Sequence, residues 1–305
     1  MLCSSRLCGV NLYVNDEGNE SYRLFRASHI SITEEWLRKL ESSGRRKLYI
    51  SSLDHQEFQR YLRQNLKDVL KDESIDVTQR FDSLNEVVRD VLGEAFSSGN
   101  PDEAVAKSEE LGHHLVELIC REDAVASELC GVMYHDYHTF THSANVSYYC
   151  VMLAKESGIV SQEELRQVAT GALLHDLGKL EISEAILTKP GKLTDEEFTV
   201  IKAHPTIGFR KLCRRTDLTL AQLMMVYQHH ERLDGTGYPV RINGDEIHLW
   251  ARICAVADVF EALTSNRPYR PGMSREAAFQ IMDRQSGTAL DGEIYQLWKA
   301  LMQKR

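Results

Sequence analysis

The chain lacks the features that mark a membrane-spanning, exported or disulfide-stapled protein. No run approaches the roughly 18 apolar residues that a membrane helix needs, and residues 1–6 lack the apolar core of a signal peptide. The seven cysteines are odd in number and form no C-x-x-C pair, so reduced thiols are predicted rather than disulfides or a zinc ribbon. We therefore expect a cytoplasmic protein with no membrane insertion.

The chain also lacks an excess of positive charge. The 305 residues include 36 lysines and arginines against 45 aspartates and glutamates, which gives a formal net charge of −9. This balance argues against a surface that binds a nucleic-acid polymer, but it is compatible with a local basic pocket for a phosphate ligand. With 43% hydrophobic and 27% charged residues, the composition is that of a globular chain with one large domain or two smaller ones.

Residues 1–72 are predicted to form a small α/β domain. Alternating apolar residues predict a hairpin of Val10–Val14 and Tyr22–Arg26, followed by a helix over 33–43 and a strand over 47–51. Asp54 and Glu57 resemble a capping box at the start of a further helix. No phosphoacceptor or cofactor motif is recognisable here, so regulation, homodimerisation and docking of a protein partner all remain open roles.

From residue 73 onward the apolar periodicity is helical. Residues 73–125 are predicted to be connecting helices, and residues 126–305 a helical bundle, so the fold class is mainly α with a small N-terminal α/β domain. Capping-box signals mark two of the helix starts, at Thr194 with Glu197 and at Thr219 with Gln222. The predicted bundle helices are 143–157, 162–178, 195–213, 220–231, 249–264, 275–285 and 292–303.

A histidine and a carboxylate stand side by side at the end of one apolar run. Burying His175 and Asp176 is costly unless something pairs with both, and a divalent metal is the commonest such partner. Neighbouring helical residues point about 100° apart, so one metal cannot easily take both as terminal ligands. A carboxylate that bridges two metals removes this difficulty.

Further histidines and one further carboxylate lie at helix ends or on apolar faces of other helices. Such a set suits a bundle-core site that holds two metals. Mixed nitrogen and oxygen ligands without thiolates suit iron, manganese, nickel, cobalt or zinc. The candidate metal ligands are His142, His175, Asp176, His204, His229, His230 and Asp258.

The order of several motifs over residues 130–300 resembles the HD-GYP family, a branch of the HD-domain metal phosphohydrolases that hydrolyse cyclic di-GMP. The matching motifs are His175-Asp176 with Lys179, Lys202-Ala203-His204-Pro205 with Gly208, His229-His230, Gly237-Tyr238-Pro239, Ala257-Asp258 and Arg267-Pro268-Tyr269-Arg270. This resemblance implies an HD-type helical bundle and a bacterial signalling hydrolase. It implies a cyclic di-GMP phosphodiesterase that makes linear pGpG, with GMP as a further product still open.

The resemblance also implies a role for each residue. The first metal would be surrounded by His142, His175, Asp176 and Asp258. The second would be held by His204, His229 and His230, with Asp176 bridging. Lys179 would contact the scissile phosphate and act with Asp176 in catalysis. Arg267 and Arg270 would hold phosphate oxygens, and Tyr238 would contact the ligand. Glu231 and Asp234 would at most brace the loop beside them.

The number of metals follows less directly. In some family members a glutamate four residues before the first histidine ligand helps to recruit a third metal, whereas this sequence has His138 there. We expect two divalent metals, iron or manganese, and treat His138 as a candidate third-metal position. Two alternative functions stay open: a non-hydrolytic signalling module that binds a cyclic dinucleotide, and an HD phosphohydrolase for another cyclic nucleotide.

Overall fold

The computed structural model describes residues 9–15, 21–31, 33–42, 47–121, 139–266 and 270–303. The chain divides into two compact units, Met1–Val87 and Val88–Arg305. The domain boundaries expected from the sequence, after residues 72 and 125, stay predictions. None of the described helices is both long enough and apolar enough to cross a lipid bilayer.

The first unit contains a two-stranded antiparallel sheet of β1 (Leu12–Asn15) and β2 (Tyr22–Arg26), as the hairpin pattern predicted. Two helices lie wholly within it, α1 (Glu34–Ser42) and α2 (His55–Lys71). The strand predicted over 47–51 is reduced to a single bridge between Tyr49 and Tyr13. The predicted Asp54 cap was wrong: its side chain makes no cap hydrogen bond, and Ser51 instead caps a short 3-10 turn before α2.

The helix α3 (Val77–Ser97) runs across the division, and the regular elements in the described part of the second unit are all helices. This confirms the predicted fold class. The helices that follow are α4 (Pro101–Arg121), α5 (Thr139–Glu156), α6 (Gln162–Leu174), α7 (Glu184–Leu187), α8 (Asp195–Ile201), α9 (His204–Leu212), α10 (Leu220–Gln228), α11 (Leu249–Thr264), α12 (Arg275–Asp283) and α13 (Gly292–Gln303).

The core of this unit forms among four helices, in which α5 packs against α6, α6 against α10, α10 against α11, and α11 against α5. Two more helices lie on this group: α4 packs against α6, and α13 packs against α5 and α11. The rings of Tyr149, Phe260 and Trp298 meet edge to face in this core, with centroids 4.9–5.6 Å apart. All three are fully buried. Burial of each large ring contributes on the order of 2–3 kcal/mol, so this cluster holds α5, α11 and α13 in fixed relation.

Two predicted helices are each broken at the residues of interest. The helix expected over 162–178 ends at Leu174, and a 3-10 turn over Leu177–Glu181 follows. The helix expected over 195–213 is two helices, α8 and α9, and His204 is the first residue of the second. Pro205 explains this break, because proline lacks an amide hydrogen and is tolerated only in the first turn of a helix.

The 3-10 turn packs directly against α9 through two glycines. A Cβ atom on Gly178 would lie 2.0 Å from the carbonyl oxygen of His204 and 2.7 Å from the amide nitrogen of Gly208. Only a residue without a side chain permits this approach. The contact sets the distance between the chain at Asp176 and the start of α9.

Gly178→Ala should therefore destabilise the chain strongly. The added methyl group would force the 3-10 turn away from α9, at a cost of about 3 kcal/mol or more, which should lower the melting temperature in thermal denaturation. Gly93→Ala is the matched control. Its Cβ would meet the Phe140 ring at an ordinary 3.6 Å, and alanine suits a helix interior better than glycine. Equal melting temperatures for the two variants would contradict the close packing at Gly178.

Candidate metal centre

The ends of four helices and one turn of a fifth converge in the second unit. His142 lies in the first turn of α5, His175 and Asp176 follow the end of α6, and His204 begins α9. His229 and His230 follow the end of α10, and Asp258 lies within α11. The structure thus brings together all seven sequence-predicted metal ligands.

Asp176 lies at the centre of this group and is almost fully buried. Its Oδ2 atom is 3.4 Å from Nε2 of His142 and 3.4 Å from Nε2 of His175. Its Oδ1 atom is 3.2 Å from Nε2 of His204 and 3.9 Å from Nε2 of His229. The two oxygens of one carboxylate therefore face two different sets of imidazole nitrogens.

The ligand-type atoms form two groups, each with its members within 4.8 Å of one another. One group contains His142, His175 and Asp258, and the other contains Asp176, His204, His229 and His230. Within the first, Nε2 of His142 is 3.1 Å from Oδ1 of Asp258. This grouping agrees with the two ligand sets that the resemblance implied.

Three of the histidines use their Nδ1 atoms on backbone carbonyls of their own helical turn. His175 Nδ1 is 2.6 Å from the Ala172 oxygen, and His204 Nδ1 is 2.8 Å from the Ile201 oxygen. His229 Nδ1 is 3.1 Å from the oxygens of Met225 and Val226. A carbonyl only accepts hydrogen bonds, so Nδ1 carries the proton and Nε2 of the neutral ring presents a lone pair to the site.

The resulting arrangement fits cations and little else. Nε2 of His204 and Nε2 of His229 are only 3.1 Å apart, and with both protons on Nδ1 neither nitrogen has a hydrogen to share. Nε2 of His175 and Oδ1 of Asp176 are buried without a hydrogen-bond partner among the described residues. Unpaired buried groups of this kind are costly, and a bound cation would satisfy them.

The charges in the group are mutually supporting. Burial alone would raise the pKa of Asp176, but the nearby Lys179 ammonium group outweighs it and holds that pKa well below the usual range. Burial lowers the pKa of His229 well below its ordinary value, and the neighbouring His230 lowers it further. A carboxylate that stays ionised and an imidazole that stays neutral are the protonation states in which these side chains bind metals.

His142 has a different partner, which the sequence reasoning missed. Its Nδ1 lies 2.5 Å from Oε2 of Glu261, a buried residue of α11. Glu261 Oε1 accepts hydrogen bonds from the Asn145 side chain at 3.2 Å and from Ser265 at 2.6 Å. Burial would lower the pKa of His142, but Glu261 and Asp258 outweigh it and raise the pKa to about 9. The sequence held one signal for this contact: Glu261 is a charged residue in the otherwise apolar run that follows Asp258.

A cleft of about 360 Å³ adjoins this group. Its lining includes His229 and His230, the aromatic side chains of Phe198 and Tyr238, and the basic residue Arg241. The Tyr238 ring lies 4.7 Å from the His230 ring, and burial raises the pKa of the Tyr238 hydroxyl. A polar ligand in the cleft would thus meet the histidine and carboxylate group at one side.

Two carboxylates hold the loop that carries Tyr238 in place. The Glu231 carboxylate accepts hydrogen bonds from the backbone amides of Val240 and Arg241, and the Asp234 carboxylate accepts from Thr236 and Arg232. Both carboxylates therefore hold the loop, as expected. Gly237 permits its path, because a Cβ there would lie 2.4 Å from the amide nitrogen of Arg232.

The predicted phosphate-contacting residues are placed unequally. Lys179 Nζ is 2.5 Å from Oδ2 of Asp176, at the centre of the group. Arg270 does not line the cleft; its guanidinium donates to the carbonyl oxygens of Ala262 and Leu263 at the end of α11. Arg267 and His138 lie outside the described residues. The substrate roles of these residues stay predictions.

Comparison with known proteins agrees with this geometry. Residues 132–294 match the model of a family described as HD domain. Such a domain implies divalent metal binding, which the two groups of histidines and carboxylates can provide. A solved structure of an HDG"Y"P protein from Bdellovibrio bacteriovorus superposes with a TM-score of 0.72 over 99% of this chain and 97% of that one, at 20% identity. At this identity the likeness shows the fold alone.

Curated relatives share more of the sequence over about half of this chain. A 3'3'-cGAMP-specific phosphodiesterase of Vibrio cholerae is 42% identical over 52% of this chain and 34% of its own length. The cyclic di-GMP phosphodiesterase response regulator RpfG of Xanthomonas campestris is 39% identical over 56% of this chain and 46% of its own. A cyclic di-GMP phosphodiesterase of Thermotoga maritima is 39% identical over 55% and 46%. The chain spans less than half the length of each.

Glu261→Gln should weaken metal binding by about 10- to 100-fold, because loss of the carboxylate that orients a ligand histidine typically has this effect. Titration calorimetry with Mn²⁺ measures it. Glu164→Gln, an exposed change in the first turn of α6, is the matched control and should leave the affinity unchanged. An unaltered Mn²⁺ affinity in the Glu261 variant would show that this carboxylate does not orient His142.

Removal of bound metal should lower the melting temperature. A cation that binds only the folded chain at about 100 times its Kd contributes roughly 2.7 kcal/mol, equivalent to a shift of about 5–10 °C for a unit of this size. Thermal denaturation with and without a chelator measures the shift, and added Mn²⁺ should restore the higher value. A melting temperature that changes neither with the chelator nor with added Mn²⁺ would contradict metal binding at this group.

Proposed function

The chain belongs to the HD-domain family, and from this premise we propose that it is a metal-dependent phosphodiesterase that hydrolyses cyclic di-GMP to linear pGpG. The observation that carries the proposal is the position of Asp176, whose two oxygens face two separate sets of imidazole nitrogens. A second hydrolysis of the same kind would yield GMP.

Two divalent metals, iron or manganese, are proposed as cofactors. His142, His175 and Asp258 would hold one, and His204, His229 and His230 the other, with Asp176 shared between them. Nitrogen and oxygen ligands without thiolates suit both metals. When bound, such a pair supplies a water that is deprotonated at neutral pH and neutralises charge on the attacking and leaving oxygens of a phosphodiester.

The protein's own side chains supply the remaining steps. Lys179 extends from the 3-10 turn to Asp176, and its ammonium group would donate a hydrogen bond to the scissile phosphate from that place. Tyr238 would contact the ligand from the opposite loop, because its raised pKa keeps the hydroxyl protonated and able to donate. Burial of the histidine and carboxylate group keeps bulk water from competing with these contacts.

A second candidate substrate is 3′3′-cGAMP. Three of the relatives are named as specific for that dinucleotide, and two of them are 42% identical over the matched region. The proposed metal-binding side chains would act on the phosphate alone, so they would not distinguish one base from another. A non-hydrolytic signalling module is disfavoured, because a pure receptor has no need of seven converging metal ligands.

Incubation of the metal-loaded chain with a panel of cyclic dinucleotides tests the proposal directly. We expect cyclic di-GMP to be opened to pGpG, with separation of products by chromatography as the measurement. Hydrolysis of 3′3′-cGAMP alone would replace the substrate. Tight binding of cyclic di-GMP without any product, in the presence of iron or manganese, would favour the signalling module.

Asp176→Ala should abolish turnover, because it removes the buried carboxylate whose two oxygens face His142 and His175 on one side and His204 and His229 on the other. His55→Ala is the control: this exposed residue at the start of α2 should change the rate by no more than about twofold, as expected for a surface substitution. Initial rates on cyclic di-GMP at saturating Mn²⁺ measure both. A wild-type rate in the Asp176 variant would refute the bridging assignment.

A further inference from the structure

Arg241 has a backbone conformation that only glycine and a few other residues adopt readily. Its φ is 66°, and among the described residues it alone has a positive φ without being glycine. The left-handed region costs an ordinary residue on the order of 1 kcal/mol or more. Such strain persists where the surrounding structure imposes it, and it concentrates at functional sites.

The imposed conformation comes from a buried carboxylate. Glu231 is only 3% exposed, and its Oε1 accepts hydrogen bonds from the amides of Val240 at 2.6 Å and Arg241 at 3.0 Å. Its Oε2 accepts a further bond from the Arg241 amide at 3.0 Å. These bonds use backbone atoms alone, so the arginine side chain is left to line the cleft.

The cleft holds positive charge that the described residues do not neutralise. Three basic residues line it, Lys202, Arg232 and Arg241, and Arg232 is paired with Asp234 at 2.9 Å. The cleft lining also includes the Glu231 carboxylate, but its oxygens are bonded to backbone amides and form no ion pair with these cations. Neither Lys202 nor Arg241 has an ion pair among the described residues, and Lys202 lies 4.9 Å from the centre of the Phe198 ring. In a chain of net charge −9, two uncompensated cations beside one cleft indicate an anionic ligand there.

We propose that Arg241 and Lys202 bind the phosphate of a cyclic dinucleotide that is not being cleaved. This inference rests on the proposed function, since it takes the scissile phosphate to lie at the histidine and carboxylate group. His229 and His230 belong to that group and also line the cleft, so a ligand with one phosphate at the metals extends its second into the same cleft. A guanidinium group suits phosphate oxygens because it donates two parallel hydrogen bonds.

The test compares two substrates. Cyclic di-GMP has two phosphates, whereas bis(4-nitrophenyl) phosphate has one, so its hydrolysis would need only the site at the histidine and carboxylate group. Arg241→Gly should raise KM for cyclic di-GMP by roughly 10- to 100-fold, the value of a charge-assisted hydrogen bond, and leave hydrolysis of the small diester unchanged. Lys202→Gln, on a different element of the cleft wall, should act in the same direction, and Arg241→Lys should restore part of the loss.

Because position 241 has a positive φ, its replacement by glycine is not expected to destabilise the fold, so a change in KM can be assigned to the lost side chain. Glycine adopts a positive φ without strain, so the melting temperature of Arg241→Gly should equal or exceed that of the wild type. Arg214→Ala removes an exposed arginine that does not line the cleft, and both substrates should be cleaved as by the wild type. A KM for cyclic di-GMP that is unchanged in both cleft variants would overturn the inference.

Base recognition is distinguished with cyclic di-AMP as a competitor. Phosphate binding predicts that Arg241→Gly weakens competition by cyclic di-AMP and by cyclic di-GMP to the same extent. A loss confined to the guanine-containing ligand would contradict it and assign the arginine to the base edge. If the wild type cleaves the small diester but neither cleaves nor binds any cyclic dinucleotide, the proposed substrate fails rather than the role of these two cations.

Discussion

A buried carboxylate at the meeting point of five helices is the constraint on which the structure of the second unit depends. Asp176 is 1% exposed, and in the absence of compensation such a charge would be strongly destabilising. The Lys179 ammonium group at 2.5 Å supplies part of that compensation, and a cation bound by the carboxylate and the imidazole nitrogens that face it would supply the rest. The helices are arranged so that their ends, rather than their sides, contribute these groups.

Helix ends matter here because they fix the histidines as well as supply them. A histidine just past or just inside a helix end can reach a free carbonyl of its own turn, as His175, His204 and His229 do. That bond selects the tautomer and points the second nitrogen inward. The breaks after Leu174 and before His204 therefore have a chemical consequence, and the close contact at Gly178 holds the two broken ends together.

The residue types and their order were sufficient to predict which seven side chains converge, the helical bundle and the small N-terminal α/β unit. Helix continuity was harder, since the apolar periodicity runs unbroken through residues 175–178 while the packing against α9 requires a 3-10 turn. The contact between Glu261 and His142 was not predicted, because it depends on the distance between α5 and α11, and no local sequence pattern gives that distance. The strained backbone of Arg241 likewise follows from Glu231, ten residues away.

Arg270 stays a predicted phosphate contact, although it does not line the cleft. Its residue type suits phosphate, yet its guanidinium donates to carbonyl groups that α11 leaves free at its end. Arg241 and Lys202, by contrast, line the cleft that adjoins the histidines, in a chain whose acidic residues outnumber its basic residues. The proposed phosphate contacts therefore come from two sources, the motif and the distribution of charge around the cleft.

The most direct test of the shared carboxylate is an anomalous difference map from crystals of the chain grown with Mn²⁺. Two peaks are predicted, one beside each oxygen of Asp176, with His142, His175 and Asp258 around the first and His204, His229 and His230 around the second. A third peak near His138 would show the expected metal count to be wrong. Well-ordered side chains at Asp176 with no peak on either side would contradict the metal centre itself.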